Sequence, residues 1–229
     1  MDGTLLNTED LYTECASEIL AEYGKGPLTW DVKIKLQGRS GPEANRLVIE
    51  HYELPISVED YIEKSLKIQA TKWPRARFLP GAWELLQYLK EKDIPIALGT
   101  SSNKINYHRK VSHLSPGFEI FGEHVVLGDD TRIPPGKGKP HPHIWYTCLG
   151  SLNSERQEKD LPPIAPEECL IFEDGLPGVE SAIASGATVI WIPDKKAIEV
   201  MDGKHHDIIR DYGEVLPSLE HFDKEKYGL

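Results

Sequence analysis

Four short stretches of this 229-residue chain carry side chains whose types and spacing could do chemistry. Glu173-Asp174, followed by Gly175, sets two carboxylates directly after the apolar run Cys169-Leu170-Ile171-Phe172. Such a pair is costly unless a cation or strong donors compensate it, and hard oxygen ligands in a partly hydrated site suit Mg²⁺. Thr100-Ser101-Ser102-Asn103 offers hydroxyls beside the free N–H groups of a helix start, which is chemistry for an anion. Lys139 precedes Pro140, where an ammonium can be aimed at a phosphate as a point charge. Asp2-Gly3-Thr4 joins a carboxylate and a hydroxyl through a residue suited to a tight turn. Each stretch also has a plain reading on its own: a surface turn, an N-cap, a solvated lysine, a frayed terminus.

The elements that must position these residues come in two textures. From residue 79 onward, short apolar strands alternate with helices: strands over 94–98, 125–127, 169–172 and 188–192, a helix over 81–92 and another after Asn103. Fully apolar strands separated by helices predict a parallel sheet covered on both faces. Each strand runs into polar, glycine-containing sequence. In open α/β sheets the site lies at the carboxyl ends of the strands, so these ends are expected to converge. Residues 9–75 read as mostly helical, without strands. One helix is capped by Thr8 and runs through Tyr23, with Leu11, Cys15, Ile19 and Leu20 near one face and Gly24 as its stop. A second has Pro42 in its first turn, and a third opens on the Ser57/Asp60 cap and ends before Pro74. The charged, proline-containing stretch 151–168 is expected to be a surface loop, and the tail after 213 to dock on the core.

Composition limits the function classes. Acidic residues exceed basic ones, 37 to 26, for a net charge of −11. That disfavours a general binder of nucleic acid or of anionic membranes, yet leaves room for one electropositive pocket. No apolar run approaches the roughly 18 residues of a membrane span, and the opening residues do not read as a signal peptide. Cys15, Cys148 and Cys169 stand far apart, read as buried small apolar residues, and fit a reducing, cytoplasmic setting.

Taken in order, Asp-Gly-Thr, apolar strand then Thr-Ser, Lys-Pro, and apolar strand then Glu-Asp-Gly resemble motifs I to IV of the haloacid-dehalogenase-like hydrolase superfamily, over essentially the whole chain. Thr29-Trp30-Asp31-Val32-Lys33, Val126-Leu127-Gly128-Asp129-Asp130 and the stretch from Phe172 to Glu180 resemble its β-phosphoglucomutase-like branch, and within it the pseudouridine-5′-phosphatase-like group. The resemblance implies an α/β fold: a Rossmann-like parallel-sheet core over 1–8 and 79–229 with an inserted helical cap over 9–78. It implies a Mg²⁺-dependent phosphatase, a monomer acting on a small phosphorylated metabolite. It also implies roles. Asp2 is the general acid/base, and its carbonyl touches the metal. Thr100 and Ser101 bind phosphate. Lys139 steadies the nucleophile and the phosphoryl group, and Glu173 and Asp174 are the metal pair. The reaction implied is attack of a carboxylate on phosphorus, then hydrolysis of the aspartyl-phosphate by water.

The chain departs from that pattern at its start. The nucleophile should stand two residues before Asp2, and the sequence begins one residue before it. The expectation is a longer natural chain in which Met1 is the middle residue of Asp-Met-Asp-Gly-Thr. Without the strand that carries the nucleophile, the neighbouring strands keep unpaired N–H and C=O groups, each costing roughly 1–3 kcal/mol, and an apolar trench opens. The sequence as it stands is not expected to turn over by the covalent route. Two other functions stay open: a nucleophile-lacking protein that binds phosphate or Mg²⁺, and a phosphosugar mutase. The mutase is disfavoured because Gly41 and Pro42 stand where a basic residue would be wanted. Arg39, in the loop Gln37-Gly38-Arg39-Ser40, either reaches the substrate or stays solvated. His143 replaces the aspartate that usually follows the Lys-Pro motif, and His141 and His143 read as a helix start on the surface rather than a metal pair.

Overall fold

The computed structural model describes residues 1–37, 39 and 41–229; Gly38 and Ser40, in the loop before the second expected helix, lie outside the described residues. After a tight turn at the start, α1 (Thr8–Glu22), α2 (Trp30–Leu36), α3 (Gly41–Tyr52) and α4 (Val58–Lys72) follow in succession. Their shared core contains Cys15, Ile19, Leu20, Val32, Val48 and Tyr61. The expected apolar face of α1 is buried as read, with Leu11 packed on Trp73, and Gly24 takes the left-handed conformation after the helix. Thr8, however, does not cap α1. Asn7 stands at that position without a side-chain cap, and the Thr8 hydroxyl is used elsewhere. Ser57 does cap α4, accepting from the Asp60 N–H at 3.0 Å.

The chain then returns through Ala76–Leu79, where Asn7 N–H donates to the Arg77 carbonyl and Arg77 N–H to Asn7 Oδ1, tying the outgoing and returning segments. α5 (Ala82–Glu91) leads to β1 (Leu98–Gly99), α6 (Lys104–Val111), α7 (Ser115–Phe118), β2 (Val125–Val126) and α8 (His143–Glu158). There follow β3 (Leu170–Glu173), α9 (Leu176–Ser185), β4 (Thr188–Trp191), α10 (Lys195–Met201), α11 (Lys204–Ile209) and β5 (Gly213–Val215). Gly81, ahead of α5, is fixed by close approach: a Cβ there would stand 2.4 Å from the Glu220 nitrogen. The tail docks as expected, with β5 on β4 and Leu219 and Phe222 buried in the main core.

The pairings among these strands are parallel, in two groups: β1–β2 and β3–β4–β5. Leu98 N–H donates to the His124 carbonyl and Thr100 N–H to that of Val126. In a parallel ladder the residue between them, Gly99, turns its backbone groups the other way. That side is an apolar trench of about 440 Å³, lined by Leu85, Leu89 and Cys148 as well as Leu98 of β1 and Leu170 and Phe172 of β3. The trench explains why β1 is so short. Expected over 94–98, it holds ladder geometry only over Leu98–Gly99, because Pro95 has no N–H and, among the described residues, the flank facing the trench has no strand partner.

Two further expectations change. Residues 151–158 are not loop but the second half of α8, and the irregular stretch begins only at Lys159. The helix continues because the segment after it folds back on it: Asn153 exchanges two hydrogen bonds with Ile164, and Arg156 Nε donates to the Pro162 carbonyl. α8 also starts three residues later than the Lys139-Pro140 pair suggested, with Pro142 at its N-cap. Of the cysteines, Cys15 and Cys148 are buried and Cys169 is half-buried; all three are free.

Candidate active site at the strand ends

Asp2 sits in a turn closed by Leu5 N–H and Leu6 N–H donating to the Met1 carbonyl and Gly3 N–H to that of Leu6. Gly3 has φ +66°, and a Cβ there would come within 2.1 Å of Asp174 Oδ2. Only glycine lets this turn and the end of β3 approach so closely. The Asp2 carboxylate is held from three sides. Lys110 Nζ and Thr8 Oγ1 each donate to Oδ1 at 2.6 Å, and Ser102 Oγ donates to Oδ2 at 3.0 Å. Lys110 also donates to Ser102 Oγ at 2.9 Å, and its ammonium lies 4.6 Å from the Tyr12 ring and 5.1 Å from the Trp73 ring. Burial alone would raise the Asp2 pKa, but the Lys110 charge, the Met1 ammonium and the hydrogen bonds from Lys110 and Thr8 bring it down to about 2. Asp2 is therefore a carboxylate at neutral pH.

The loop after β1 meets Asp2 through Ser102. Thr100 is buried and its Oγ1 accepts from Ser102 N–H at 3.2 Å. Gly128 packs so closely that a Cβ would stand 2.2 Å from the Ser101 carbonyl oxygen, which fixes the loop's path. Asn103 caps α6 by accepting from Asn106 N–H at 2.9 Å, so the helix starts directly after this loop.

At the end of β3, Glu173 and Asp174 have different surroundings. Glu173 Oε1 accepts from Lys139 Nζ at 2.5 Å, and its carboxylate lies against Gly178 in the first turn of α9, the electropositive end of that helix. The Lys139 side chain is buried and its ammonium sits 4.7 Å over the Trp145 ring. Asp174 is less well compensated. Its side chain meets Gln37 Nε2 at 3.5 Å, while its carbonyl accepts from Trp191 Nε1 at 2.8 Å. Burial, then the charges of Glu9 and Glu173, push its carboxyl well above the usual range.

This donor set fits a hard cation through Asp174, whose oxygens, among the described residues, meet only the long contact from Gln37, and through the nearby Asp2 turn. Mg²⁺ keeps several waters and takes one or two carboxylates. Glu173 is turned to Lys139 instead. Among the described residues no three His, Cys, Asp or Glu side chains form a ready metal cluster, and His141 and His143 are not drawn into one.

The structure thus brings together Asp2, Thr100, Ser101, Lys139, Glu173 and Asp174 at the strand ends. Arg39 is not brought in. It is exposed, pairs with Glu43, and donates from Nε to the Lys35 carbonyl at 2.6 Å. Sequence reasoning missed Thr8, Ser102 and Lys110 around Asp2, and Glu9, Lys33 and Gln37 on the helical side. The signals were weak: a hydroxyl credited to a helix cap, and lysines on helices that look like ordinary surface.

A parallel α/β core whose strand ends gather an aspartate turn, a Thr-Ser loop, a buried lysine side chain and an acidic pair defines a hydrolase class. The family model of haloacid dehalogenase-like hydrolases matches residues 1–192, and the chain belongs to this family. Among its relatives is a protein of Saccharomyces cerevisiae described as a probable pseudouridine-5′-phosphatase, 55% identical over 229 residues, covering 100% of this chain and 94% of that one. A (DL)-glycerol-3-phosphatase of Arabidopsis thaliana is 34% identical over 231 residues, covering 100% and 72%. A solved HAD hydrolase of family IA from Entamoeba histolytica has the same fold, with a TM-score of 0.71 at 24% identity, covering 99% of this chain and 94% of that one.

Proposed function

We propose that the protein is a magnesium-dependent phosphatase that hydrolyses a small phosphomonoester, a nucleotide or sugar phosphate such as pseudouridine 5′-phosphate, through an aspartyl-phosphate intermediate formed on the aspartate that the family motif sets two residues before Asp2, a residue outside this sequence. The observation that carries this reading is the gathering of Asp2, the Thr100–Ser102 loop, Lys139 and Asp174 in one place. The yeast and plant relatives, described as phosphatases, support hydrolysis over isomerisation. In this reading residues 1–8 and 79–229 are the core and 9–78 the cap that closes over the strand ends.

Lys139 keeps ammonium protons beyond the one given to Glu173 and turns them to the phosphoryl oxygens. Thr100 and Ser101 bind the phosphoryl group from the loop at the end of β1. Asp174 and the Asp2 carbonyl would hold Mg²⁺, which when bound neutralises charge on the phosphoryl oxygens. Asp2 moves the protons: one to the leaving oxygen, and one taken from the water that attacks the acyl phosphate. Held ionised by Lys110, it is ready for the second task; the first requires that it take up a proton beforehand.

Phosphate release from a panel of phosphomonoesters, by the protein isolated from its native source, tests the reading. Release that needs Mg²⁺, without isomerised product, is expected, and Asp174→Asn is expected to remove most of it. No release from any ester, or activity unchanged in Asp174→Asn, overturns it.

A further inference from the structure

α2 carries part of the stretch Thr29–Lys33, and one of its residues has no assigned task. Val32 enters the helical core, whereas Lys33 is buried on a different face, only 3% exposed. An ammonium has three protons to donate. That of Lys33 gives one to the Glu9 carbonyl at 3.1 Å, stays 3.9 Å from Glu9 Oε2, and lies 4.5 Å over the Trp30 ring. Lys72, another buried lysine, is matched by two carboxylates, Glu18 at 2.6 Å and Glu14 at 3.2 Å. Lys110 is matched by Asp2 and Ser102. A buried cation with so few acceptors is poorly compensated by the protein alone.

Its place tells what else could compensate it. One turn further along, buried Gln37 reaches Asp174 Oδ2. Glu9, which holds Lys33, lies against the Asp2 turn, where a Cβ on Gly3 would be 3.0 Å from Glu9 Cγ. This face of α2 and the first turn of α1 therefore border the carboxylates from the helical side.

We propose that Lys33 reads the leaving group: its ammonium donates to hydroxyl oxygens of the esterified alcohol, so that the site selects polyhydroxylated phosphomonoesters over apolar ones. The proposal rests on the phosphatase reading and extends it to the class of substrate. Gln37 and Glu9 supply the complementary donor and acceptor for the same hydroxyls.

Calorimetric titration with two phosphonates that cannot be hydrolysed tests it: 3,4-dihydroxybutylphosphonate and butylphosphonate, which differ only in two hydroxyls, with inorganic phosphate as reference. The protein is expected to bind the dihydroxy compound about tenfold more tightly than butylphosphonate. Lys33→Met, which keeps most of the apolar stem, is expected to reduce that preference below about twofold while butylphosphonate and phosphate affinities hold. Absence of the preference in the unaltered protein, or its survival in Lys33→Met, overturns the role of Lys33 while leaving the phosphatase reading intact. The first of these needs no variant to fold. Failure of the unaltered protein to bind phosphate or either phosphonate in Mg²⁺ overturns the phosphatase reading and the proposal with it.

Discussion

Lys110 and Lys139 both have buried side chains, both are paired with a carboxylate and both are set over aromatic rings, yet they hold opposite positions in the site. Lys110 comes from near the end of a helix and is saturated: Asp2, Ser102, Tyr12 and Trp73 surround it. Tyr12 and Trp73 belong to the helical stretch and Asp2 to the opening turn, so this lysine ties three parts of the chain together. Lys139 comes from a loop, has one hydrogen-bonded carboxylate, and shares that carboxylate with a helix start. The first lysine completes the architecture. The second keeps capacity for a ligand. A buried lysine is thus a candidate for chemistry when its acceptors are too few, not simply when it is buried.

The largest effect that would break this comparison concerns Lys110. Lys110→Met leaves the Asp2 carboxylate without its cation and is expected to cost about 3–5 kcal/mol of stability, read by urea unfolding. A loss below about 1 kcal/mol would show that Lys110 is not what holds the Asp2 turn. The same pair sets an acid limit. Because the Asp2 pKa is depressed from 3.8 to about 2, its contribution is complete above the unfolded value and disappears as pH falls through the folded one. Stability measured from about pH 5 down to about pH 2 is expected to include a fall of about 2 kcal/mol from this group, reduced in Lys110→Met because Lys110 is the largest of the groups that depress the Asp2 pKa. An identical acid slope in both proteins would remove the pair from the account.

The two lysines also mark what was legible in the sequence. Lys139 could be singled out because Lys-Pro in a glycine-rich loop, ahead of an apolar helix, is an unusual local context. Lys110 could not. α6 is polar along most of its length, and nothing in the spacing says that its lysine faces inward between Tyr12 and Trp73. The same divide runs through the fold. Strands β3 and β4 were readable from continuous apolar runs, and both pair over four residues. β1 was overextended because apolar residues alone do not reveal whether a flank will have a partner. The second half of α8 is not legible because its charges and the prolines after it read as loop, while the hydrogen bonds that the next segment makes back to the helix leave no local trace. Local chemistry was written in neighbouring residues. Contacts between distant helices and the strand ends, such as Gln37 with Asp174, were not.

Lys139→Met sharpens the contrast with a smaller structural effect. Glu173 keeps the start of α9 as partial compensation, so the expected loss of stability is about 1–2 kcal/mol, below that of Lys110→Met. Binding of inorganic phosphate in Mg²⁺ is expected to weaken about tenfold or more, because a charge-assisted contact is lost. Equal destabilisation by the two substitutions, with phosphate affinity unchanged in Lys139→Met, would make Lys139 a second structural lysine.

The smallest effect is expected at a basic residue that the sequence allowed into the site and the structure keeps out. Arg39 spends its guanidinium on exposed Glu43 and on the Lys35 carbonyl. An exposed pair of this kind contributes little, because water and salt screen it and both long side chains lose freedom on pairing. Arg39→Ala is expected to change unfolding stability by less than about 0.5 kcal/mol. It is also expected to leave phosphate and phosphonate affinities within about twofold, whereas a charge contacting the phosphoryl group would be worth about tenfold or more. A tenfold loss of phosphate affinity in Arg39→Ala would mean that the helical stretch delivers this arginine to the ligand, and that a residue's exposure before binding does not separate structural from ligand-facing cations in this protein.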